Sequence, residues 1–361
     1  MLLYFGRNPV LVVSYAEGAS YITKTHDIIF ADRPALGTFK RLLYDCKDVA
    51  MAPYGDYWRR VRSICVNQLL SYKRVQSFSS VREEEIGQMI EEIRRLSKYD
   101  NRRVNLSKLF SNLTSDVICR VAFGMKFNGE KDGIKFKDLL EKHEELLGRF
   151  NVGDFIPWLS WINHVNGVEN EIKKTNRDMD KVLEDMVEVH LDKMRKNQGT
   201  NNNEETTQDF IDVLLELQKD EIAEMSVNKE SIKAIIVDMF VAGSTTTFAT
   251  LEWAMSELLR NPMVMESLKK EVRGITKGKA SITENDLEKM EYLNGTIKET
   301  LRLHPPAPLL LPRISSKEIK LSGYDIPAKT QVIINAWGIQ RDPTFWKELK
   351  FSTQKDLWIQ P

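Results

Sequence analysis

The sequence predicts a mainly α protein with a small β-sheet built from both ends of the chain. Three observations carry this. Apolar residues recur at three- and four-residue spacing from Pro53 to about Arg260, the helical period. Near Val10, and again beyond Leu309, the pattern changes to short β-branched runs punctuated by glycine and proline. With 361 residues, 42% apolar and 29% charged, the chain is long and apolar enough to bury a sizeable core.

Taken in order, residues 10–13 read as a strand that feeds a helix from Tyr15, interrupted before Pro34. Helices are expected over 57–70, 75–96, 106–121, 168–195 and 210–217. The polar stretch 197–209, with Asn201, Asn202, Asn203 and Glu204, cannot bury a core and reads as a loop or linker. A long helix follows over 231–260. Gly243 and three consecutive threonines at its middle compete with the backbone ladder, so a kink or widened turn is expected at 242–247. Pro262 starts a new element. Residues 287–303 form an amphipathic helix stopped by Pro305 and Pro306, with Glu299 and Arg302 sharing a face. Short strands follow at 309–314, 319–321 and 330–335.

Lys plus Arg equals Asp plus Glu at 52 each, so net charge gives no argument for a nucleic-acid partner. The three cysteines, Cys46, Cys65 and Cys119, are odd in number and do not form closely spaced metal-ligand pairs, which points to a reducing compartment. The apolar opening Met1 to Phe5 is much shorter than the run of about twenty residues a membrane span needs, so the sequence as written reads as soluble, and cytoplasmic if expressed.

Four segments carry chemistry only when taken together. They are Ala-Pro-Tyr-Gly-Asp-Tyr-Trp-Arg-Arg-Val-Arg at 52–62, Asp-Met-Phe-Val-Ala-Gly-Ser-Thr-Thr-Thr at 238–247, Lys-Glu-Thr-Leu-Arg-Leu-His-Pro-Pro at 298–306 and Asn-Ala-Trp-Gly-Ile-Gln-Arg-Asp-Pro at 335–343. In that order and spacing they resemble plant microsomal cytochromes P450, over residues 4–346.

The resemblance implies a haem-thiolate monooxygenase that hydroxylates a small apolar plant metabolite with electrons from NADPH-cytochrome P450 reductase. Full-length relatives of this kind are expected at the endoplasmic reticulum membrane. Trp58, Arg62 and Arg313 are then expected to face the haem propionates; indole N–H and guanidinium groups are the donors a buried carboxylate needs. The long central helix would cross the oxygen side of the haem, with Ala242 and Gly243 at a groove and Thr246 relaying protons. A hydroxyl both donates and accepts, as a relay requires. The family usually has a carboxylate just before that threonine, where this chain has Thr245. Read locally, the same threonines are hydroxyls satisfying carbonyls in a packed helix.

Glu299 and Arg302 resemble the family's structural pair, although any such quartet read alone is a surface ion pair. Leu309, Leu310 and Leu311 would give the substrate pocket an apolar wall, helped by residues 31–51; without haem they are ordinary core leucines. Exposed Arg59, Arg60 and Lys73 would meet the reductase. His304, at a helix end, reads as a cap residue.

The family's iron ligand is a cysteine in a loop that this sequence does not contain, and no metal ligand is assigned. Residues 1–346 therefore read as a partial domain of the family and 347–361 as a tail outside it. One permitted codon set for 353–361, read in another frame, encodes the family's next expected motif, so a frameshift near 348–352 is the expectation. Two alternatives stay open: a catalytically inactive truncated product, and a non-catalytic binder of an apolar ligand or of the reductase.

Overall fold

In a computed structural model that describes residues 1–98, 103–126, 132–197, 208–219, 227–279 and 282–346, the two ends of the chain meet in one sheet. The strands are β1 (Leu2–Phe5), β2 (Asn8–Val13), β3 (Arg313–Ile314), β4 (Ile319–Leu321), β5 (Tyr324–Ile326) and β6 (Gln331–Ile334). β1 and β2 form a hairpin through Gly6, whose φ of +63° is the left-handed geometry that favours glycine. β2 pairs in parallel with β6, placing Leu11 opposite Val332 and Val13 opposite Ile334, and β3 closes the order β1-β2-β6-β3. A parallel pair needs a crossover, and here the whole helical body supplies it. Leu11, Val13, Phe30, Val332 and Ile334 bury a separate small core under this sheet.

The longer helices are α1 (Asp56–Ile64), α2 (Ser79–Lys98), α3 (Leu106–Phe123), α4 (Asp132–Gly148), α5 (Val168–Asn197), α6 (Phe210–Lys219), α7 (Lys229–Arg260), α8 (Pro262–Thr276) and α9 (Glu291–Leu303). Several expectations are refined. The helix expected over 57–70 passes into a π turn at Cys65–Leu69. The one over 75–96 is broken at Phe78. The strand expected over 309–314 shrinks to Arg313–Ile314, because Leu310 adopts φ +51° and its N–H turns back to the Ala307 carbonyl. Of the polar stretch 197–209, residues 198–207 lie outside the described residues, as does the tail 347–361.

α7 is the centre of the body. Its first turns, Ser231 to Asp238, are buried throughout, and Phe240 stacks into an aromatic cluster with Phe123 of α3 and Phe136 of α4. By length and composition it could cross a membrane, but the burial of its first turns makes it a core helix.

One buried ion pair carries a pH prediction. His190 of α5 places Nε2 2.9 Å from Asp209 Oδ2 and Nδ1 2.8 Å from the Met186 carbonyl, so both ring nitrogens face acceptors. Asp212 lies close enough for the three to resemble a metal site, yet both nitrogens are already spent on protein acceptors. Burial pulls the His190 pKa down; the hydrogen bond and charge of Asp209 outweigh it, and the net shift is upward. A raised histidine pKa adds stability that is fully present below the unfolded value near 6.5 and is lost as pH rises through the folded value. The urea midpoint should therefore fall on going from about pH 6 to pH 9, and His190→Asn should remove that part of the slope; an unchanged slope would contradict it.

Candidate functional site

The widened turn expected at 242–247 is not there. α7 runs as unbroken α-helix through Ala242 to Thr247, because the hydroxyls bond back one turn without displacing the ladder. Thr246 Oγ1 donates to the Ala242 carbonyl at 2.5 Å, Ser244 Oγ to Phe240 at 2.7 Å and Thr250 Oγ1 to Thr246 at 2.8 Å. Gly243 serves packing instead. A Cβ there would lie 2.7 Å from Ile118 Cδ1, so any larger residue would force the end of that side chain to move. Ala242, Thr245 and Thr246 are exposed on the same helix, and Ala242 and Thr246, four apart, lie on one side of it.

Asp32 draws the other predicted residues together. Its carbonyl accepts the Ile314 N–H at 2.9 Å, and its carboxylate accepts the Tyr54 N–H at 2.9 Å, just ahead of α1. Its neighbour Arg33 donates Nη1 to the Pro312 carbonyl at 3.0 Å, and Arg313 donates Nη1 to the Phe30 carbonyl at 3.2 Å. Both guanidiniums are half-buried. Burial, with the Arg313 charge adding to it and Asp48 opposing, pulls the Arg33 pKa down to about 10; burial also lowers that of Arg313. Arg33 was not singled out in the sequence, where it is one basic residue before a proline; only the fold shows that it stands beside Arg313.

The Trp58 indole N–H donates to the Val49 carbonyl at 3.0 Å. The Val49 segment is itself pinned to α7, since Asp238 accepts the N–H groups of Val49 and Ala50 at 2.7 and 3.0 Å. Burial and the neighbouring Asp48 charge hold Asp238 well above the usual carboxylate range, and burial lifts Asp48 to about 6. Arg62 is exposed, with its guanidinium 5.5 Å from the centre of the Trp58 ring.

The Glu299–Arg302 pair is buried, contrary to the surface reading. Arg302 Nε and Nη2 meet the two Glu299 oxygens at 2.7 and 2.6 Å, and Nη1 continues to the Gln340 carbonyl at 2.8 Å. His304 ends α9 as expected of a cap residue; it also stacks on Trp253 of α7 at 3.8 Å and contacts Glu257 Oε1 at 3.0 Å. Leu309, Leu310 and Leu311 are 43–49% exposed, not core leucines. They flank Arg313 on the turn that Arg33 holds. A cavity of about 930 Å³ between α4 and α5, lined by Phe136, Leu139, Val182 and Met186, includes none of these residues.

The family model for cytochrome P450 matches residues 1–350. This chain belongs to the cytochrome P450 family. Among its relatives, cytochrome P450 736A117 of Prunus mume is 49% identical over 362 residues, covering 99% of this chain and 68% of that protein. A tabersonine/lochnericine 19-hydroxylase of Catharanthus roseus is 49% identical over 348 residues, covering 96% of this chain and 68% of that one. A solved zebra fish cytochrome P450 structure with progesterone superposes with a TM-score of 0.81 at 21% identity, covering 99% of this chain and 81% of that chain, which shows the same fold.

Cytochromes P450 use haem, and the donors here suit one end of it. Arg33 and Arg313 are adjacent, half-buried cations whose hydrogen bonds, where described, go to neutral carbonyls; such a pair is complementary to a carboxylate-bearing group. The thiolate end is different. Cys46, Cys65 and Cys119 are all buried in the main core. Burial pushes Cys46 up to about 11 and Cys65 up to about 12, and raises Cys119 as well. An iron-ligating cysteine needs the opposite, a depressed pKa and access. The chain's own cysteines do not fit that role.

Proposed function

We propose that this chain provides the oxygen-side helix and the propionate-binding face of a cytochrome P450 monooxygenase that hydroxylates a small apolar plant metabolite. The observation that carries it is the pairing of Arg33 with Arg313 around Asp32. Bound haem supplies oxygen activation. The chain's residues bind and orient: Arg33, Arg313 and the exposed Arg62 hold propionates, and Trp58 positions α1 through Val49. Ala242 gives the exposed side of α7 a small side chain, Gly243 packs α7 against Ile118, Thr246 holds a proton against the Ala242 carbonyl, and Leu309 to Leu311 wall the substrate from water. Glu299 and Arg302 fix the end of α9.

The Catharanthus relative's name supports hydroxylation as the reaction. The redox partner on this reading is NADPH-cytochrome P450 reductase, met by Arg60 and Lys73, which are exposed; Arg59 is already paired with Asp56 at 2.6 Å. The working protein acts at the endoplasmic reticulum membrane. A second reading, a non-catalytic chain, is favoured by the burial of all three thiols.

The propionate assignment is tested by titrating the chain with haem and with haem dimethyl ester, following tryptophan fluorescence. Arg33→Ala/Arg313→Ala should weaken haem binding about tenfold or more, from the loss of two charge-assisted contacts, and leave the ester unaffected. Equal affinity for haem in the variant and the parent would overturn it.

A further inference from the structure

Position 245 lacks the carboxylate that the family usually carries ahead of its relay threonine, and the fold supplies one from another helix. Glu144 of α4 meets the Thr245 hydroxyl with both oxygens, Oε1 and Oε2 each 2.6 Å from Oγ1. Thr245 is the residue before Thr246, and both are exposed on α7. We propose that Glu144 is the acid of this hydroxyl pair, holding and resupplying a proton at Thr245 Oγ1 in place of a carboxylate at 245. Its purpose rests on the monooxygenase reading; its geometry does not.

The surroundings shift Glu144 toward its protonated form. Burial raises the Glu144 pKa, the Thr245 hydrogen bond lowers it, and the charge of Glu141, one turn earlier on α4, raises it again; the net shift is upward. From α7, the group facing Glu144 is the neutral Thr245 hydroxyl. The proton balance is simple. Protonated Glu144 gives its proton to Thr245 Oγ1 as that hydroxyl releases its own toward the α7 face, and the carboxylate then takes one proton from solvent, to which Glu144 is partly open.

A helix brace would use the same hydrogen bond, so the test must separate the two. In the 361-residue chain, isotope-edited infrared titration of Glu144 should place its pKa above the ordinary value of about 4.3. Thr245→Val should push it higher, while Thr246→Val leaves it unmoved; an ordinary pKa, or one indifferent to Thr245→Val, overturns the proposal. Glu144→Gln keeps the hydrogen bond, so a brace would keep the exchange rate of the Thr245 hydroxyl proton, whereas loss of an acid should slow it about 10²-fold by nuclear magnetic resonance. An exchange rate unmoved by Glu144→Gln would also overturn the proposal. Failure of the monooxygenase reading itself would leave this exchange and the Glu144 titration as expected.

Discussion

Replacing Arg302 with methionine is expected to remove about 3–5 kcal/mol of folding stability, the cost of stranding a buried charge. Glu299 and Arg302 are 1% and 5% exposed, and two of the three described hydrogen bonds of the guanidinium go to the Glu299 carboxylate. The third, to the Gln340 carbonyl, ties α9 to the segment after β6, and Trp346 lies 4.6 Å from the guanidinium. Methionine fills much of the volume but takes the guanidinium away from a carboxylate that is 1% exposed. Two companion variants sharpen the test. Arg302→Lys keeps the charge but loses the planar fork, so it should lose less. Glu299→Gln/Arg302→Met should recover part of the loss, since removing both charges costs less than stranding one. Urea unfolding of the three variants measures this; a loss under about 1 kcal/mol for Arg302→Met would mean that the pair behaves as a surface ion pair.

The helices whose apolar spacing was strong, α3, α5, α6 and α7, were legible in the sequence almost to their ends, and so was the sheet built from both termini. What was not legible depended on three dimensions. α4 was missed, and with it Glu144, because its pattern is interrupted by charge and its value lies in facing Thr245 across a helix boundary. Arg33 looked like any arginine before a proline until the fold set it beside Arg313. At 242–247 the kink was a fair inference from composition, but the helix absorbed its hydroxyls by i→i−4 bonds, and Gly243 proved to be a packing residue against Ile118. The partner of the Trp58 N–H was not legible either: it donates to Val49, which in turn hangs from Asp238. No single-sequence signal distinguishes those uses.

The second large effect concerns haem. Arg33, Arg62 and Arg313 offer cations to propionates, and the exposed face of α7 offers small side chains, but the three thiols are buried in the main core with raised pKa values. Propionate contacts give affinity, whereas the thiolate bond sets the electronic signature of the iron, so the two can be read separately. The chain should take up haem weakly and lose most of that uptake when Arg33 and Arg313 are removed. The most direct measurement is the carbon monoxide difference spectrum of the reduced chain after expression with excess haem. No band of the cysteinate-ligated type is expected, from the parent or from a variant with all three cysteines replaced by serine. Stoichiometric haem with the thiolate-type band in the parent, abolished by replacing Cys46, Cys65 or Cys119, would contradict it and place the iron ligand among the cysteines assigned here to the core.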